Sequence, residues 1–85
     1  MEVRVGKVTH YYNKINVAVL KLVKSLEVGD RIMILGKTTD LTQAVTSMEI
    51  DHNKVQSVEA GMEVALKVAG TVRHGDSVYK LIEKE

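Results

Sequence analysis

An 85-residue chain in which 45% of residues are hydrophobic has room for one small core and is too apolar to stay disordered. It contains no cysteine, which excludes disulfides, thiolate zinc sites and thiol nucleophiles. The net charge is +1, which argues neither for nor against nucleic acid; seven basic against four acidic residues in 1–42 and five against seven in 43–85 make the first half mildly basic, less so than is usual for a phosphate-tracking face.

In chain order, the opening MEVRVGKV has no continuous apolar stretch. No later run approaches the ~18 apolar residues of a membrane span, so neither a signal peptide nor a span is read and a cytoplasmic protein is expected. Asn13-Lys14 marks a first hairpin turn. INVAVLKLV (15–23) follows, nearly all apolar and rich in β-branched residues, as expected of a strand buried on both sides. Gly29-Asp30 precedes RIMIL, in which Ile32 and Ile34 share a face. In TQAVTSMEI, Val45 and Met48 face the same way only if an extra residue intervenes, which predicts a β-bulge near Thr46-Ser47. Asn53-Lys54 predicts a second hairpin turn. EVALKVA (63–69) alternates cleanly, with Val64, Leu66 and Val68 on one face, and Gly75-Asp76 introduces the last strand. No window carries a helical apolar stripe. The pattern predicts a single all-β domain over 1–85, a small closed or nearly closed antiparallel barrel of six to seven strands. Its expected core includes Val5, Val17, Ile32, Ile34, Val45, Val64, Leu66 and Val68.

Gly29-Asp30, Gly61 and Gly75-Asp76 each lie just before a strand. A phosphate-binding glycine loop instead leads from a strand into a helix, whose N-terminus faces the anion. Neither a G-x-x-x-x-G-K nor a G-x-G-x-x-G motif occurs. These are read as structural turns, and no nucleotide or other cofactor is expected.

The order GKV, LEVGDRIMILG, SMEI, EAGMEVALKVAG, RHGDSVYKL, spanning about residues 6–82, resembles the second domain of translational GTPases such as elongation factor Tu. It is also similar to small stand-alone translation elongation factor-like proteins, and to the C-terminal barrel domain of collagenase-like peptidases. THYYNKINVAVLKL (9–22) is nearer the stand-alone group. The resemblance implies a barrel without a GTPase domain, binding RNA or a ribosome- or translation-associated component. It implies, alternatively, a protein-interaction module docking onto a peptidase-like or other enzyme partner. Within MEIDHNK it makes Glu49 the counterpart of a tRNA-facing residue, while Asp51 stands where the family has an aromatic.

From the residues themselves, His10, Tyr11 and Tyr12 form the one aromatic-rich patch, flanked by Lys7 and Lys14. Rings beside cations suit stacking on unpaired bases. The alternative is that one tyrosine covers the core while the other shields the hairpin. His10, His52 and His74 lack metal-ligand spacing, so no metal site is expected. Glu49, Asp51 and Glu63 supply carboxylates, but acid–base catalysis also needs a pocket, which a small filled barrel rarely offers. Ser25, Ser47, Ser57 and Ser77 lack a nucleophile-elbow context. A non-enzymatic binding domain is expected.

Overall fold

The computed structural model of the protein describes residues 1–82. They form strands only: β1 (Glu2–Tyr12), β2 (Val17–Leu22), β3 (Leu26–Glu27), β4 (Arg31–Leu35), β5 (Asp40–Ala44), β6 (Met48–Ile50), β7 (Asn53–Val55), β8 (Ser57–Val58), β9 (Glu63–Lys67) and β10 (Ser77–Leu81). Eight make one antiparallel sheet in the order β5-β4-β10-β1-β2-β9-β6-β7, and β3 pairs with β8 in a second. There are thus more strands than the six to seven expected, and the pairing does not close into the expected barrel. No helix of the described residues is long and apolar enough to cross a membrane.

Where β5 curls toward the segment after β9, a side chain takes over from the ladder. The Gln43 carboxamide donates to the Lys67 carbonyl at 2.9 Å and accepts from the Ala69 amide at 2.7 Å. This arrangement serves one donor and one acceptor of a strand end that would otherwise be left to solvent.

The two Gly-Asp phrases fold into the same turn. In Glu27-Val28-Gly29-Asp30 the Asp30 amide donates to the Glu27 carbonyl (3.1 Å), and an Asp30 carboxylate oxygen accepts from the Glu27 amide (2.9 Å). In Arg73-His74-Gly75-Asp76 the corresponding distances are 3.1 and 2.8 Å. Glycine sits third in each turn, with φ of 100° at Gly29 and 91° at Gly75, as a type II turn requires. Gly61 also has positive φ, at 91°. Each Gly-Asp turn then clamps one buried valine. Gly29 donates to the Val45 carbonyl while Val45 donates to Asp30, and Gly75 and Asp76 do the same to Val8. The turns therefore start β4 and β10, each with its first ladder bonds already made.

Sixteen hydrophobic residues form the core, including seven of the eight expected. Val17 is the exception. In β2 burial alternates, so Ala18, Leu20 and Leu22 point inward while Val17 and Val19 lie half-buried on the opposite face. The strand is not covered on both sides. The expected bulge at Thr46-Ser47 is instead a break between β5 and β6, which still lets Val45 and Met48 both reach the core. The bulges lie in β1, between Arg4 and Gly6 and between Val8 and His10. Each reverses the facing of the strand. The second hairpin turn also moves, because Asp51 and His52 carry the positive φ (51° and 66°) of a tight hairpin. Asn53 starts β7, and its Nδ2 donates to the Asp51 carbonyl. The first turn occupies residues 13–16, with positive φ at Asn16.

Two glycines are required for different reasons. Gly29 has open space where a Cβ would go, so only its φ is restrictive; at Gly6 a Cβ would collide with the Lys21 carbonyl across the sheet. Gly29→Val is therefore expected to cost about 1–3 kcal/mol and Gly29→Asn clearly less, since Asn tolerates positive φ. Gly6→Ala is expected to cost about 1–3 kcal/mol through overpacking. Urea unfolding checks this, and equal losses for Asn and Val at position 29 would contradict the backbone explanation.

Candidate functional site

The outer face of the sheet, away from the core, is built by register. Tyr12 lies opposite Val17 and His10 opposite Val19; Val19 lies opposite Ala65, Ala65 opposite Glu49, and Glu49 opposite Lys54. Because Val17, Val19 and Ala65 are small and outward, this strip is a depression between larger neighbours. It holds two adjoining hollows, of about 260 and 340 Å³, which share Glu49 and Ala65. The first is lined by Ile15, Val17, Ser47, Glu49, Lys54 and Lys67, with the β9 backbone at Leu66. Tyr12, Val19, Glu49, Ile50, Asp51, His52 and Glu63 line the second.

Aromatic and apolar surface borders the groove. Tyr12 is 49% exposed and Ile15 56% exposed, and both border the groove. His10 and Tyr12, two residues apart on the same face of β1, hold their rings 4.3 Å apart at 54°. That contact fixes the Tyr12 ring over the sheet and lowers the entropy lost when a partner packs on it.

The charges along the groove are unevenly shared. Glu49, Asp51 and Glu63 line one hollow with no lysine or arginine, whereas Lys54 and Lys67 line the other together with the shared Glu49. Lys21 neighbours Glu63 across the β2–β9 ladder, but its ammonium donates to the Gly61 carbonyl at 2.9 Å. Among the described residues the one ion pair within 4.0 Å is Lys80–Asp30, at the first Gly-Asp turn. The groove charges are therefore open to a partner.

The patch proposed from sequence divides between two faces. Lys7, His10 and Tyr12 are exposed, and Lys14 lies in the first hairpin turn. Tyr11 packs against the core, its hydroxyl donating to Asn16 Oδ1 at 3.2 Å. Strand alternation sends the consecutive tyrosines to opposite faces, the bulge at Val8/His10 setting which of them meets the core, so they cannot stack together on one ligand. Glu49 lies at the centre of the groove; Gly29, Asp30, Gly61, Gly75 and Asp76 lie in turns or at strand starts. Sequence reasoning missed Val19, Lys54, Ala65 and Lys67. The nearly continuous apolar run of β2 could have pointed to Val19; no local signal marks Lys54, Ala65 or Lys67, which the topology brings beside it. No group of three or more His, Asp or Glu among the described residues could hold a metal ion.

No protein-family model matches the chain. It is 40% identical over 83 residues to an "Uncharacterized protease" of Methanocaldococcus jannaschii, a match covering 96% of this chain and 20% of that protein. The chain thus spans about a fifth of the length of this curated relative. In fold it is similar to the C-terminal domain of a putative U32 peptidase from Geobacillus thermoleovorans. One crystal structure of that domain gives a TM-score of 0.86 at 18% identity, covering 93% of this chain and 92% of that one. Its selenomethionine variant gives 0.84, also at 18% identity, covering 89% and 96%.

The two tyrosines are expected to differ in stability. Tyr11→Ala removes partly buried ring surface from the core and should cost about 1.5–3 kcal/mol. Tyr12→Ala should cost less than about 1 kcal/mol, in keeping with its exposure. Equal losses in chemical denaturation would mean that the facing of β1 is misassigned.

Proposed function

We propose that this chain is a non-catalytic interaction domain that docks onto a peptidase-like protein through the groove of β2, β9, β6 and β7. The observation that carries this reading is the 40% identity to a fifth of a much longer protease. Likeness of fold to the C-terminal domain of a putative U32 peptidase supports it. In such an arrangement the reaction chemistry belongs to the peptidase body and the antiparallel sheet contributes a recognition surface. The groove has what a protein interface uses: an exposed tyrosine, an apolar floor and a charged rim.

RNA or ribosome binding has less support. Tyr11 is turned to the core, which leaves Tyr12 and His10 as the exposed rings of the stretch, and three carboxylates line the hollow beside Tyr12. A phosphate backbone would meet those carboxylates unfavourably.

Affinity capture from native cell extract, with this chain as bait, tests the proposal. The expected result is a peptidase-like protein retained in stoichiometric amount at physiological salt. Tyr12→Ala should release it. If RNA is captured instead and lost steeply with salt, or no protein remains, the docking reading fails.

A further inference from the structure

We infer that the groove accepts an extended segment bearing a basic and an acidic side chain two residues apart, the basic one entering the hollow beside Tyr12. This inference deepens the docking reading and rests on it.

Along β9 the outward residues are Glu63, Ala65 and Lys67, so the strand carries an acid, a small apolar residue and a base on one face. Across the β6–β7 hairpin Glu49 and Lys54 lie directly opposite each other, so Glu49 borders both hollows while Lys54 borders only the one that also holds Lys67. From Glu63 to Lys67 is four residues of strand, so the centres of the two hollows, bounded by Val19 and Val17 on β2, lie about two residues or ~7 Å apart. In an extended chain, side chains i and i+2 point to one side with the same spacing. The fit is therefore one of length as well as of charge.

Arginine suits the acidic hollow better than lysine. Its planar guanidinium can lie on the Tyr12 ring while donating to Glu49 or Glu63, and its aliphatic stem can cover Val19 and Ala65. A carboxylate two residues away would meet Lys54 and Lys67, two lysines against the one carboxylate, Glu49, that the hollows share. None of these four charged groups has an ion-pair partner within 4.0 Å among the described residues. A partner's charges would therefore replace solvent and break no existing pair.

The test is a titration of the isotopically labelled chain with the blocked peptide acetyl-Arg-Thr-Glu-amide, followed through backbone amide shifts. Saturable shifts at Val19, Glu49, Glu63 and Ala65 are expected. They should vanish when arginine is replaced by neutral citrulline, and binding should weaken roughly tenfold in Glu49→Gln/Glu63→Gln. The amide spectrum of that variant also reports whether it is folded; Glu63 is exposed and Glu49 half-buried on the outer face. Equal shifts from the citrulline peptide, shifts confined to another face, or no shifts would overturn the inference. So would displacement of the peptide by single-stranded RNA with the same amides moving. No peptidase-like protein enters this titration, so failure here leaves the capture experiment standing, and failure there leaves a positive titration intact.

Discussion

The fold depends on two short turns that make the same set of hydrogen bonds. In each, glycine at positive φ reverses the chain, and the following aspartate accepts the amide of the turn's first residue. Each turn then fixes both backbone groups of a core valine, Val45 in one case and Val8 in the other. Because β4 and β10 are neighbours in the sheet, the two clamps set the register of the run β5-β4-β10-β1 together. A one-residue slip would turn Ile32, Ile34 and Val78 outward, so the core depends on these turns. Asp76 is the more demanding of the two aspartates. It is 5% exposed, and its carboxylate occupies the space that a Cβ on Gly36 would fill. Asp30 is nearer to solvent and has Lys80 at 3.8 Å.

With register fixed on that side, the other half of the sheet is free to carry a surface unlike an ordinary solvated one. β2, β9 and β6 bury one face fully and present Val17, Val19 and Ala65 on the other. Nothing within the described residues covers that face beyond the Tyr12 ring and the first hairpin turn. The hairpin that borders it turns on Asp51-His52, although Asn-Gly would meet the positive φ values at lower cost. These two residues line the acidic hollow. Local stability and surface chemistry thus diverge at the groove and agree elsewhere, which is the pattern expected of a binding surface on an otherwise self-consistent fold.

The glycine turns were legible because positive φ is a property of single residues, and glycine before Asp and a strand has few other uses. The clean alternation of EVALKVA placed Val64, Leu66 and Val68 correctly for the same reason: period two was unbroken. Reading failed where a bulge altered the phase. Nothing local in MEVRVGKVTHYY marks the two reversals in β1, since both are imposed by pairing with β10 and β2. Alternation alone puts Tyr11 and Tyr12 on two surfaces; the second reversal decides that Tyr11 is the one that faces the core. A nearly continuous apolar run implies two covered faces, but β2 has one covered face and one groove, so Val17 lies outside the core. Glu49 was singled out through family resemblance and does lie in the groove, but the lysines that complete it come from β7 and β9, which only the topology brings together.

Hydrogen exchange of the chain, alone and bound to the captured peptidase-like protein, addresses the docking surface most directly. The account predicts added protection in Val17–Leu22, Glu63–Lys67 and the β6–β7 hairpin, with little change in β4 and β10. Protection concentrated on β4 and β10 instead, or no difference between free and bound chain, would contradict it.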